Sequence, residues 1–265
     1  MPRFLCATCG ALHPDADQPP ATCPICDDPR QWAPEGGARW TTPEALAAGH
    51  MNAFRQIAPG LIAIETQPAF AIGQRAILVR RPQGNVLWDC VALLDPATKT
   101  ILDALGGLSA IALSHPHFQT AAGLWAEAFG CPVLAHEADR GDYLRDDPGF
   151  VFWGGARRDL APGVAIHHVG GHFAGSCVLH LADDRRILTG DTVMVTPDRA
   201  HVAFMRSYPN LVPLPGPEAE RVAARLLELD FETIHSAFRG RGDLTADGRG
   251  AVRRSLARHL GGAGA

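Results

Sequence analysis

Lysine is almost missing from this chain. Of its 24 basic residues only Lys99 is a lysine, and the arginines do not gather on any one segment. Against 28 acidic residues the formal net charge is −4, so the positive excess of a dedicated nucleic-acid binder is absent. No apolar run approaches the length of a membrane span. The start, Met1-Pro2-Arg3-Phe4-Leu5-Cys6, lacks the apolar stretch of a secretory leader. These absences point to the cytoplasm, with neither nucleic acid nor membrane as partner. Seven cysteines are an odd number for a disulfide framework, and in a reducing compartment they are thiols or metal ligands.

What is present suits a globular protein. Apolar residues make up 46% of 265, enough for one large domain or a domain plus a small module. Charged residues, at 20%, are too few and too mixed for a disordered chain. The chain divides into a cysteine module at 1–38, a linker at 39–55 and an α/β domain at 56–265. The module has too few apolar residues to hold itself by burial, and a metal could do so instead. In the linker, Thr42-Pro43-Glu44 starts a short helix. Strands are expected at 61–64, 75–79, 86–88, 110–113, 131–134, 164–169, 178–181, 186–188 and 231–234, with a hairpin turn at Gln83-Gly84-Asn85. Helices are expected at 97–105, 120–129, 217–229 and 251–260. Early strand pairs followed by mixed units suggest two sheets covered by helices. The tail 261–265 is expected to be disordered, and Arg241-Gly242-Asp243 imitates an adhesion tripeptide of no use in the cytoplasm.

Cys6-x-x-Cys9 and Cys23-x-x-Cys26, thirteen residues apart, have the spacing of a four-thiolate metal site. Four thiolates close a tetrahedron and leave no position for substrate, so the site is structural. His13 is superfluous to it, and Cys90, Cys131 and Cys177 are inert core thiols. The segment resembles the rubredoxin-like module of rubrerythrins and is equally compatible with a zinc ribbon. Asp27 stands where a rubredoxin knuckle has its second glycine, which favours zinc over iron.

His115-Pro116-His117 follows the short strand at 110–113. Pro116 pushes His115 to an extended conformation, and in an extended chain residues two apart share a side. Gly170-Gly171-His172 follows the strand at 164–169, and Gly190-Asp191 follows the strand at 186–188. Three strands thus end in a liganding side chain. Three imidazoles and one carboxylate suit zinc or ferrous iron. His136, beyond the strand at 131–134, is a candidate for lining the cleft, and Asp89 a candidate acceptor for a ligand's second N–H.

These residues resemble the metallo-β-lactamase superfamily. Its HxHxDH, Gly-His-x-x-Gly-Ser, Gly-Asp and late His are matched by His115-Pro-His117, Gly171-His172-Phe-Ala-Gly175-Ser176, Thr189-Gly190-Asp191 and His235. The resemblance covers about residues 56–265 and implies a four-layer αβ/βα sandwich with metal at the rim between the sheets. Where the family continues with Asp and His, this chain has Gln119 and Thr120, poor metal ligands. One ion is therefore expected, on His115, His117, His172 and Asp191, with His235 left from the second site. The resemblance implies a metal-dependent hydrolase of ester, thioester, amide or phosphodiester bonds in a small-molecule substrate. Asp191 or His235 would be the base and Tyr208 a hydroxyl donor to the oxyanion. One zinc is expected in each site, with iron possible at either. Two other readings stay open: a single-iron persulfide dioxygenase matched at His115, His172 and Asp191, and a non-catalytic scaffold.

Overall fold

The computed structural model describes residues 1–32, 34–144, 149–240 and 243–261. The tail past Gly261, and Arg241-Gly242 of the adhesion-like tripeptide, lie outside the described residues. The chain forms two compact units, one of residues 1–135 and 140–152, the other of 136–139 and 153–265. Among the described residues no helix is long and apolar enough to cross a membrane.

The first unit is built on a seven-stranded sheet in simple chain order: Met51–Ala58, Leu61–Gln67, Ala76–Val79, Val86–Trp88, Ala110–Ala112, Val133–His136 and Phe150–Trp153. The first three pairings are antiparallel, the last of them the expected hairpin of Ile77↔Trp88 and Val79↔Val86. The next two pairings are parallel, Val86↔Ala110 and Ile111↔Val133. A parallel neighbour needs a crossover, and two helices provide it. Pro96–Ala104 starts at Asp95, whose carboxylate accepts from the Thr98 amide. Ala122–Phe129 stops at left-handed Gly130. Leu102 and Trp125 from these helices are buried with Leu78, Leu87, Ile111 and Val133. Parallel strands finish at one edge, and there the chain reaches Asp89 and Ser114-His115.

The second unit has a six-stranded sheet in the order Arg157–Ala161, Val164–His168, Cys177–Leu181, Arg186–Gly190, Thr233–Ser236 and Asp243–Leu244. Two antiparallel pairings bring Val164–His168 and Arg186–Gly190 into the same direction. Thr233–Ser236 then joins Arg186–Gly190 in parallel. Three strand ends therefore share one edge, and the segments leaving it carry His172, Asp191 and His235-Ser236. Helix Gly216–Leu227 buries Ala219, Val222, Ala223 and Leu226, one stripe at helical spacing, among Ile187, Phe231 and Ile234.

Among the strands that escaped the sequence pattern are Met51–Ala58, Phe150–Trp153 and Arg157–Ala161. All three are edge strands, half-solvated and so without a continuous apolar run. The first sheet consequently begins at Met51, before Leu61, where the pattern first reads as strand.

Gly171 fixes how the chain leaves the Val164–His168 strand. Its φ is +92°, and a Cβ there would stand 2.6 Å from Val222 Cγ2 and 3.3 Å from Leu214 Cδ1. Backbone strain and a stiff neighbour both oppose a side chain. We predict that Gly171→Ala destabilises the protein by about 2 kcal/mol or more, read as a drop of about 4–8 °C in Tm. An unchanged Tm contradicts this placement of the loop.

Candidate metal centres

The four sulfurs of Cys6, Cys9, Cys23 and Cys26 all lie within 4.8 Å of one another. Sγ–Sγ separations of 3.6 Å for Cys6–Cys26 and for Cys9–Cys23 are far outside disulfide bonding. They match the edge of a tetrahedron, about 3.8 Å for zinc–sulfur bonds near 2.3 Å. The two knuckles differ. In the first, the Gly10 amide returns to the Cys6 carbonyl at 2.8 Å with Gly10 at φ +80°. In the second, Pro24–Asp27 forms a helical turn closed by Asp27 N–H on Cys23 O at 2.9 Å. That turn needs no left-handed residue, which is why an aspartate serves there.

The cluster's charges are mutually dependent. Hydrogen bonding first from Cys26, then from Cys6 and Cys9, drives the Cys23 thiol far below its ordinary range. Cys9 is raised, first by Cys23 and then by Cys26 and Cys6. A thiophilic cation resolves this conflict by stabilising every sulfur as thiolate, so the residues fit a metal. His13, expected to be superfluous, is buried with Nε2 3.4 Å from Cys23 Sγ and its ring edge-on to Trp40 at 4.6 Å. It is a hydrogen-bond partner of that sulfur. Burial pushes the Cys90 thiol up to about 12 and the Cys131 thiol up to about 11.

In the first unit, His115 is extended (φ −170°, ψ 170°), as the following proline requires. His117 is not extended, because Pro116–Phe118 make a 3-10 turn. The turn, rather than strand alternation, brings the rings to 5.3 Å. Both side chains are 1% exposed. Ser114 Oγ lies 2.9 Å from His115 Nδ1. Asp89 acts one residue away from where the sequence suggested, its Oδ1 accepting the Ser114 amide at 2.7 Å. The Gln119 side chain and the Thr120 main chain both make hydrogen bonds. The Gln119 amide donates to Pro116 O at 3.0 Å and accepts from Leu144 N–H at 3.1 Å, while the Thr120 carbonyl accepts from Leu12 N–H at 3.0 Å.

In the second unit, the 170–176 turn is closed by the Val169 and Gly170 amides on Ser176 O and by Phe173 N–H on Ser176 Oγ. Buried Asp139 accepts the Gly175 amide; a Cβ on Gly175 would stand 2.8 Å from that carboxylate. His172 Nδ1 faces the Met205 carbonyl at 3.2 Å. An acceptor there fixes the proton on Nδ1 and leaves Nε2 as the lone-pair nitrogen. Asp191 is 6% exposed and follows left-handed Gly190. His235 Nδ1 is paired with Asp243 Oδ1 at 2.5 Å.

Tyr208 lies in the second unit. Its hydroxyl, expected to be an oxyanion donor, donates to Ala203 O at 3.1 Å. Burial, with the Asp191 charge second, holds its pKa well above the ordinary value. Its ring lies 5.8 Å from that of His172. His136 stacks on His168 at 4.0 Å and bonds Gly155 O, a structural engagement. Sequence reasoning missed Asp139 and Asp243. Neither stands in a motif, and no signal short of the fold would have found them.

Comparisons with known proteins follow the same line. The family model of the metallo-β-lactamase superfamily matches residues 71–235. The Bacillus subtilis (strain 168) protein YmaE is 41% identical over 244 residues, 90% of this chain and 89% of that one. Among solved structures, DIM-1 metallo-β-lactamase superposes with a TM-score of 0.57 at 13% identity, over 77% of this chain and 97% of that one. The metallo-β-lactamase from Hirschia baltica gives 0.54 at 17% identity, over 77% and 96%. At such identity the likeness shows the fold alone. It is the α/β fold of mixed sheets and helices that the motifs imply, and the cysteine cluster fits a zinc-ribbon-like module.

Asp89 provides a test of the first unit's strand edge. It is 1% exposed, and burial pushes its pKa up to about 7, the Ser114 amide and hydroxyl pulling it partway back. An unfolded carboxyl titrates near 4, at about 3.9. Across that window the folded state keeps a proton that the unfolded state has released, so stability falls as pH rises. In metal-free protein we expect wild type to lose stability relative to Asp89→Asn between about pH 4 and about pH 7, with no further change above. A flat difference in urea unfolding across that range contradicts the buried carboxyl.

Proposed function

Because the chain belongs to the metallo-β-lactamase superfamily, we propose that it is a metal-dependent hydrolase of a small molecule with an ester, thioester, amide or phosphodiester bond. His115, His117, His172 and Asp191 would hold one metal ion. Zinc there supplies Lewis-acid polarisation and a water whose pKa falls to about 7.

The observation that carries the reading is the common state of three rings. Nδ1 is engaged in each: by Ser114 Oγ in His115, by the Met205 carbonyl in His172 and by Asp243 in His235. Such partners orient a ligand ring and raise its basicity. His235 Nε2 has no hydrogen-bond partner among the described residues. Oriented by Asp243 at Nδ1, His235 would take up a proton at Nε2 and return it to the leaving group. The engagement of Gln119 with backbone groups supports one ion rather than two. The seven cysteines support a reducing, cytoplasmic setting.

The test is anaerobic purification with zinc and iron counting, followed by assay against thioesters, lactones, phosphodiesters and β-lactams. We expect two zinc ions per chain and turnover of at least one class, abolished by chelation and restored by zinc. His172→Ala is expected to lower kcat/KM at least 100-fold and to keep one ion. Stoichiometric iron with oxygen uptake, or metal-replete protein that turns over nothing, overturns the hydrolase.

A further inference from the structure

Within the first unit, the cysteine segment and the turn bearing His115 and His117 are fastened together on two sides. On one side, Leu12 N–H donates to the Thr120 carbonyl at 3.0 Å. Beside it, a Cβ on Gly10 would stand 3.2 Å from Ala71 Cβ and 3.6 Å from Thr120 Cγ2. Leu5 and Leu12 are buried in the same core cluster as Leu113 and Ala121, which flank the turn. On the other side, Leu144 packs against the cysteine cluster and donates its N–H to Gln119 Oε1. Gln119 closes back on Pro116 O, inside the turn itself. Arg30, paired with Asp28, also reaches Asp142 at 3.7 Å.

The segment that provides these fastenings has little order of its own. Its regular elements are the four-residue helix Pro24–Asp27 and the two-residue strands Leu5–Cys6 and Trp40–Thr41, each too short to persist alone. Its own cluster is the four cysteines with Ala11 and Ile25. Binding free energy at such a site is folding free energy. Gly10 lies in the first knuckle and Leu12 two residues beyond it, so a cation that holds Cys6 and Cys9 also restrains the backbone that reaches Thr120.

We propose that a zinc-class cation in the cysteine cluster positions the His115–Thr120 turn, and that the histidine ligands bind their ion only after the cluster is filled. Gln119 and Thr120 are the struts of this coupling. The inference rests on the reading that His115 and His117 bind metal, and it adds a direction: losing the cluster costs both ions, while losing a histidine ligand costs one.

The test counts ions per full-length chain by mass spectrometry and follows hydrogen exchange of the 115–120 amides. In Cys23→Ser/Cys26→Ser we expect both ions to be lost and those amides to exchange at least ten-fold faster. In Cys26→His, which keeps a three-thiolate, one-imidazole set, both ions should be retained. His172→Ala should lose one ion and leave the amides protected. Should the double variant fail to fold, a thiol-binding mercurial added to wild type gives the same comparison. Release of two ions together supports the coupling; release of one, with the second still bound, overturns it. A double variant that keeps one ion and protected amides also overturns it. Wild type with only one ion overturns the histidine centre itself and the coupling with it, an outcome distinct from two ions that leave independently.

Discussion

A buried imidazole can serve a metal only if its other nitrogen has somewhere to put a proton. That constraint organises both strand edges of this protein. In the first unit Asp89 holds the Ser114 backbone and Ser114 faces His115 Nδ1. In the second, the Met205 carbonyl and the Asp243 carboxylate do the same for His172 and His235. The neighbours come from different strands and loops, so the ring orientations are a property of each folded unit. Parallel pairing explains why the edges are where they are. It gathers strand ends that antiparallel hairpins would send in opposite directions.

The cysteine cluster answers a different problem, the cost of burying charge. Four thiols 0–4% exposed cannot all ionise without a cation, and the opposed shifts at Cys9 and Cys23 express that conflict. A filled cluster would stiffen the segment between Leu5 and Leu12, which are themselves buried in the first unit's core. Seen from the histidine turn, Gln119 and Thr120 are structural residues. The Gln119 side-chain amide accepts from Leu144 and the Thr120 main-chain carbonyl from Leu12, so only at position 119 does the contact depend on the residue's identity.

Much of this was legible in the sequence, for physical reasons. The two Cys-x-x-Cys pairs and the His-x-His, Gly-His and Gly-Asp motifs announce themselves because metal ligands and tight turns demand particular residue types at particular spacings. Central strands such as Ala76–Val79 and Ala110–Ala112 announce themselves because both faces are buried. Edge strands such as Met51–Ala58 do not, since half their surface is solvated. The conformation of His117 was misjudged because Pro116 constrains the residue before it more tightly than the one after. The role of His13 was missed because its partner sulfur is ten residues away and spacing rules count only ligands. Asp139 and Asp243 were hidden because a carboxylate that supports a loop or a ring has no local signature; only the tertiary fold brings it to its partner.

The central proposal is that His115, His117, His172 and Asp191 would hold a single cation with a position left for solvent. Anomalous diffraction at the zinc edge from crystals of the zinc-loaded chain tests it most directly. The account predicts two peaks, one among four sulfurs and one ligated by three imidazoles and the Asp191 carboxylate with a water in the remaining position. A peak among the sulfurs alone, or a second ion fully enclosed by side chains, would contradict it.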